Sequence, residues 1–125
     1  SAIAAAVASE RPASLTVFDI DGERARLTAQ RVADAHPGVA AHAGAPRVRD
    51  VDVLINASPA GMLDDARLPF PIDAIAPGVA VLDAVVKPER TPLLALAERS
   101  GCVVVRGREM MHGQIARMVD FFYAG

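Results

Sequence analysis

The stretch VLINASPAGM, residues 53–62, decides the fold. Val53, Leu54 and Ile55 form an apolar run, which stops at Asn56, Ser58 and a Pro- and Gly-bearing turn. A strand with one wet face alternates apolar and polar residues. An unbroken apolar run instead reads as a strand buried on both faces, as in a parallel sheet. Ligands of such sheets sit beyond the carboxyl ends of the strands, so Asn56 and Ser58 stand where a short donor or acceptor would meet one.

The same pattern repeats outward. VAVLDAVV (79–86) is a second buried strand with Asp83 at its end. TPLLALAERSG (91–101) reads as a helix, with Thr91 as cap, Pro92 in the first position and Gly101 as stop. CVVVRG (102–107) is a strand, and residues 109–125 read as a closing helix. The intervening proline-rich segment, 64–78, has room for only a short helix. Toward the amino end, LTVFDI (15–20) is a strand. DGERARLTAQRVADA (21–35) is a helix capped by Asp21, with Ala25, Ala29 and Val32 as its apolar stripe. VAAHAG (39–44) is an ambiguous strand, and SAIAAAVASE (1–10) is an Ala-rich helix. Alternating strands and helices predict an α/β fold, its parallel sheet covered on both faces.

At 125 residues the chain has the length of one domain with a single core. Hydrophobic residues make up 52% and mean hydropathy is +0.28, but the excess is Ala and Val. No apolar run is long enough to predict a transmembrane span, and the amino end lacks the basic and apolar regions of a signal peptide. Thirteen basic and fifteen acidic residues leave a net charge of −2 without like-charge blocks, which argues against nucleic acid or a membrane as partner. Cys102 is the only cysteine and reads as a small buried hydrophobe, so a reducing cytoplasm is the expected location. The three histidines lack metal-ligand spacing, and no metal site is expected. His112 has no carboxylate beside it in the sequence and reads as a solvated or packed residue.

Candidate site residues cluster at strand ends. Asp19 ends the first strand, where a carboxylate accepts from a dinucleotide's adenosine ribose and repels a 2′-phosphate. Gly107 ends the last strand and would let backbone approach a flat ligand. Gln114, one turn past Met110, offers a donor and an acceptor to a hydroxyl-bearing ligand. Lys87 and Arg90 read as solvated loop charges.

Taken together, NASPAGM, then VLDAVVKPERTPLL, then GCVVVRGREMMHGQ and the final FFYAG closely resemble the carboxyl-terminal cofactor domain of the shikimate/quinate dehydrogenase family, across essentially the whole chain. The resemblance implies a Rossmann-like three-layer fold with a mostly parallel sheet. It further implies that residues 1–125 are a partial dinucleotide-binding domain lacking its first strand and Gly-rich loop, with the amino-terminal substrate domain absent. The implied reaction is hydride transfer between NAD(P) and a cyclic hydroxy or keto acid such as shikimate or quinate. Ser58, Ala84 and Gly107 match positions along the cofactor, and Gln114 matches the substrate-hydroxyl contact. DIDGER (19–24) falls where NADP-using members carry Asn-Arg-Ser/Thr. Asp19 replaces the Asn and Ile20 the Arg, which favours NAD over NADP.

No catalytic residue is expected in this chain, because the family's catalytic Lys and Asp lie upstream. Val86 replaces a substrate-contacting Tyr of the family, Arg106 replaces an Asp and Glu109 a Gly, so the exact substrate is open. Arg106 or Arg108 could pair with a substrate carboxylate, though solvated arginines are the plainer reading. The chain alone is expected to be inactive, and poorly stable or prone to aggregate unless another strand covers its open sheet edges. A homodimer is left open. The competing reading is a non-catalytic nucleotide-binding or assembly module.

Overall fold

The computed structural model describes residues 2–46, 48–58 and 60–107. Its elements are α1 (Ala2–Ser9), β1 (Ser14–Val17), α2 (Gly22–Ala35), β2 (Ala40–Ala43), β3 (Val53–Asn56), β4 (Ala80–Asp83), α3 (Pro92–Arg99) and β5 (Val103–Val105). The expected closing helix, with Gln114, Arg108 and His112, lies outside the described residues.

Local chemistry accounts for the helix boundaries. The Asp21 carboxylate accepts from the amides of Glu23 and Arg24 and so caps α2. The Thr91 hydroxyl accepts from Leu94 N–H at the start of α3, where Pro92 costs nothing because its missing donor would have had no helical partner. At the other end Gly101 adopts φ +79°, the left-handed conformation that ends helices. The proline-rich segment forms no helix. It instead sends Leu68, Ile72 and Ile75 toward the core beside α3.

All strand pairs are parallel, as the α/β pattern requires, but they form two sheets, β1-β2 and β3-β4-β5. Two compact units result, divided between residues 47 and 48, rather than the single core expected from length. In the first, Ala8, Val32 and Val39 pack together with Leu15 and Ala41 around them. In the second, Val81, Leu93, Leu94, Ala97 and Ile75 make the larger core. Among the described strands only β4 is buried at every position. It has a ladder partner on each side, whereas β1 and β2 have one each and are half-buried or exposed along most of their length. Covering on both faces therefore holds for β4 and not for β1 and β2.

Candidate functional site

The strand ends of the two units differ in kind. In the first unit β1 runs out through Phe18 to Asp19. The Asp21 amide donates to Asp19 Oδ1 at 2.9 Å, which turns the chain into α2. The other oxygen, Oδ2, faces Arg24 at 4.0 Å, and the Asp19 side chain keeps 27% of its surface in solvent. Phe18, Asp19, Gly22, Ala25, Ala43 and Gly44 line a cleft of about 310 Å³. Its walls are the Phe18 ring and small apolar residues, with one carboxylate at the edge. That combination suits a flat ring bearing a vicinal diol: the ring lies on the apolar wall and the diol donates to the carboxylate. Ile20 is 93% exposed and contributes no charge. Arg24 is a cation that the sequence reading did not single out; its signal was its place in the first turn of α2.

In the second unit the strand ends are tied together by side chains. Asp83 is fully buried. Its Oδ1 accepts from Val85 N–H at 3.0 Å and from Asn56 Nδ2 at 3.1 Å, and its Oδ2 accepts from the Thr91 hydroxyl at 2.7 Å. Asn56 spends its whole amide in the same corner. Its Nδ2 also reaches Ala60 O at 3.2 Å, and its Oδ1 accepts from Ser58 N–H at 3.0 Å and from the Ser58 hydroxyl at 2.6 Å. Among the described residues no buried side-chain polar atom lacks a partner. Burial pushes the Asp83 carboxyl above its ordinary range, against the pull of Val85, Thr91 and Asn56.

Two further contacts hold this corner. Gly61 sits at φ +95° against Thr91 and Pro92, and Leu63, itself at φ +53°, donates its N–H to Lys87 O at 2.8 Å. At Gly107 a Cβ would lie 2.6 Å from Val85 O and 2.8 Å from Ala84 O. The missing side chain is thus required by the chain's own backbone, a reason that the strand-end pattern did not disclose.

The expected residues therefore divide. Ser58, Ala84 and Gly107 come together in the second unit, at the ends of β3, β4 and β5. Asp19 occupies the first unit, and Gln114 lies outside the described residues. Asn56, read from sequence as a ligand-facing amide, is an internal organiser. Arg90 pairs with Glu98 at 3.0 Å and Arg106 faces Glu89 at 3.9 Å. The larger cleft, about 390 Å³ beside α3 and lined by Leu68, Ile72, Pro92, Leu96 and Arg99, contains none of the candidate residues. Among the described residues no cluster of His, Cys, Asp or Glu could hold a metal ion, and no helix is long and apolar enough to cross a membrane.

No protein-family model matches the chain. A shikimate dehydrogenase (NADP(+)) of Ignicoccus hospitalis is 32% identical over 111 residues, 89% of this chain and 41% of the relative. The ligand-free 5-ketofructose reductase of Gluconobacter sp. strain CHM43 superposes with a TM-score of 0.79 at 25% identity, over 99% of this chain and 47% of that one. Quinate dehydrogenase from Corynebacterium glutamicum, in complex with NAD, gives 0.76 at 27% identity, over 99% and 46%. The chain thus spans less than half the length of each of these relatives. Its fold is Rossmann-like, and the resemblance seen in NASPAGM and VLDAVVKPERTPLL extends through the chain.

Proposed function

We propose that this chain, which matches the carboxyl-terminal region of the shikimate/quinate dehydrogenase family, is the dinucleotide-binding part of an oxidoreductase. The intact protein transfers a hydride between NAD(P) and a cyclic hydroxy or keto acid. The observation that carries the reading is the convergence of Ser58, Ala84 and Gly107 at the ends of three parallel strands, the place where open α/β sheets bind their ligands. When bound, the nicotinamide supplies the hydride chemistry. The chain's own residues bind and orient. Asp19 receives the adenosine ribose. Ser58 and the backbone at Ala84 and Gly107 line the nicotinamide end, and Gln114 holds a substrate hydroxyl. The residues that move the proton belong to a substrate domain outside these 125 positions, so the chain by itself turns nothing over.

NAD is the proposed cofactor, because the Asp19 carboxylate would repel a 2′-phosphate. The quinate dehydrogenase with NAD supports this. The relatives named for NADP(+) favour a second reading, in which Arg24, 4.0 Å from Asp19, swings out to meet that phosphate. Val86, beyond the end of β4, is 44% exposed and offers no hydroxyl, which leaves room for substrates other than shikimate.

The test is steady-state assay of the intact protein with NAD and NADP against shikimate and quinate, and with NADH and NADPH against 5-ketofructose. Turnover with any of these, faster with NAD, is the expected result. Preference for NADP would transfer the role from Asp19 to Arg24. Dinucleotide binding with no turnover on any substrate would establish the non-catalytic module instead. Hydride transfer by the 125-residue chain alone would overturn the placing of catalysis outside it.

A further inference from the structure

Asp83 belongs to no cofactor or substrate role assigned above, yet it bonds the residues that hold Ser58 and Ala84 in the second unit. Its carboxylate holds Asn56, whose own oxygen holds the Ser58 amide and hydroxyl. It holds Val85 N–H and so sets the Ala84–Val85 carbonyls against which Gly107 packs without room for a Cβ. It accepts a hydrogen bond from the Thr91 hydroxyl while that oxygen caps α3. The loop after β3 and the turn after β4 are non-local in sequence, and the Leu63–Lys87 backbone contact is a second link between them.

We infer that Asp83 is the positioning residue of this corner: its buried carboxylate fixes the loop carrying Ser58 and the turn carrying Ala84 in one arrangement, and thereby the surface that a bound dinucleotide meets. The catalytic consequence rests on the dehydrogenase reading; the mechanical one does not. A carboxylate suits the task because it accepts from all three donors at once without having to donate in return. An amide could keep Val85 and Asn56 on its oxygen, but it would present N–H to Thr91 and leave that hydroxyl without its acceptor.

Two measurements separate the claims. Amide hydrogen exchange on the intact protein compares wild type with Asp83→Ala and with the gentler Asp83→Asn. Ser58 and Ala60, which Asp83 does not touch, should exchange about tenfold faster in Asp83→Ala and about threefold faster in Asp83→Asn, while Leu82, Ala97 and the first unit's Ala29 keep their rates. Where Asp83→Ala does not fold, Asp83→Asn decides. Acceleration confined to Val85 would reduce Asp83 to a local turn residue, and equal acceleration everywhere would reduce it to general stability; either overturns the inference. In the intact protein, Asp83→Asn should lower kcat about tenfold with the hydroxy-acid KM held within about twofold, the signature of misplaced rather than lost binding surface. Unchanged kcat alongside loosened Ser58 and Ala60 would overturn the functional half. If the wild-type protein shows no hydride transfer at all, the dehydrogenase reading falls, and the exchange pattern still decides the role of Asp83.

Discussion

Asp19 and Asp83 are both aspartates at the carboxyl ends of parallel strands, and the protein uses them in opposite ways. Asp19 accepts one backbone amide, faces Arg24 and keeps part of its surface in water. Asp83 has no exposed surface and accepts three hydrogen bonds from three different segments. Asp19 keeps acceptor capacity for a ligand's hydroxyls, whereas Asp83 has spent its own on the chain. The difference follows from the strands that carry them. Among the described residues β1 pairs with β2 alone and lies near the surface, and β4 is flanked on both sides and buried throughout. A strand-end carboxylate stays open to solvent where the sheet is thin and becomes a tie where it is thick.

Removing the tie should produce the largest effect. Asp83→Ala leaves one Asn56 N–H, the Val85 N–H and the Thr91 hydroxyl proton without acceptors in a buried corner. Orphaned buried groups cost about 1–3 kcal/mol each, part of which is recovered by relaxation, so a net loss of about 3 kcal/mol is expected by urea denaturation. A loss below about 1 kcal/mol would show that water or a shifted loop replaces the network and would erase the contrast with Asp19.

Gly107→Ala comes next. The added methyl would meet backbone carbonyl oxygens rather than a pliable side chain, so β5 must move away from the Ala84–Val85 turn. Overpacking of this kind costs about 2 kcal/mol. The same measurement on Gly22→Ala is the control, since nothing lies near a Cβ there. Equal effects at the two glycines would mean that the turn after β4 is not held where the Asp83 network places it.

A pH series sharpens the comparison further. Burial raises the Asp83 carboxyl on folding. A carboxyl raised in the folded state favours the neutral form there. Its contribution is complete below the ordinary carboxylate pKa and declines as pH climbs through the raised value. The stability of wild type relative to Asp83→Asn should therefore improve as pH falls from 7 toward 4, followed by urea midpoints. The reverse trend would mean that the hydrogen bonds from Val85, Thr91 and Asn56 outweigh the burial.

Much of this was legible in the sequence where the cause is local. Asp21 and Thr91 were readable as helix caps because capping depends on residues two or three positions away. β3 and β4 were readable from their apolar runs. Asp83 was visible as a strand-end residue, but its partners Asn56 and Thr91 are 27 and 8 positions distant, and no spacing rule announces such a meeting. The Leu63–Lys87 contact and the collision awaiting a Cβ at Gly107 are equally non-local. The division into two units was hidden for the same reason: each strand's pattern reports that it is buried, not which neighbours bury it. Asn56 shows the cost, since a polar residue at a strand end reads alike whether it faces a ligand or its own loop.

The smallest effect on stability, and the most direct test of the other aspartate, is expected from Asp19→Asn. The substitution keeps an oxygen for the Asp21 amide and removes a charge from a partly exposed position, so folding should change by less than about 0.5 kcal/mol. What should change is discrimination. With the carboxylate gone, Arg24 no longer has an anion 4.0 Å away, and a 2′-phosphate no longer meets one. The ratio of kcat/KM for NADP to that for NAD in the intact protein should rise about tenfold, which corresponds to roughly 1.4 kcal/mol of relieved repulsion. Adding Arg24→Ala should return most of that gain, because the guanidinium is what would receive the phosphate. If Asp19→Asn leaves the ratio unmoved while Arg24→Ala alone lowers it, the ribose corner is read by the cation. Asp19, like Asp83, would then serve the chain rather than the ligand.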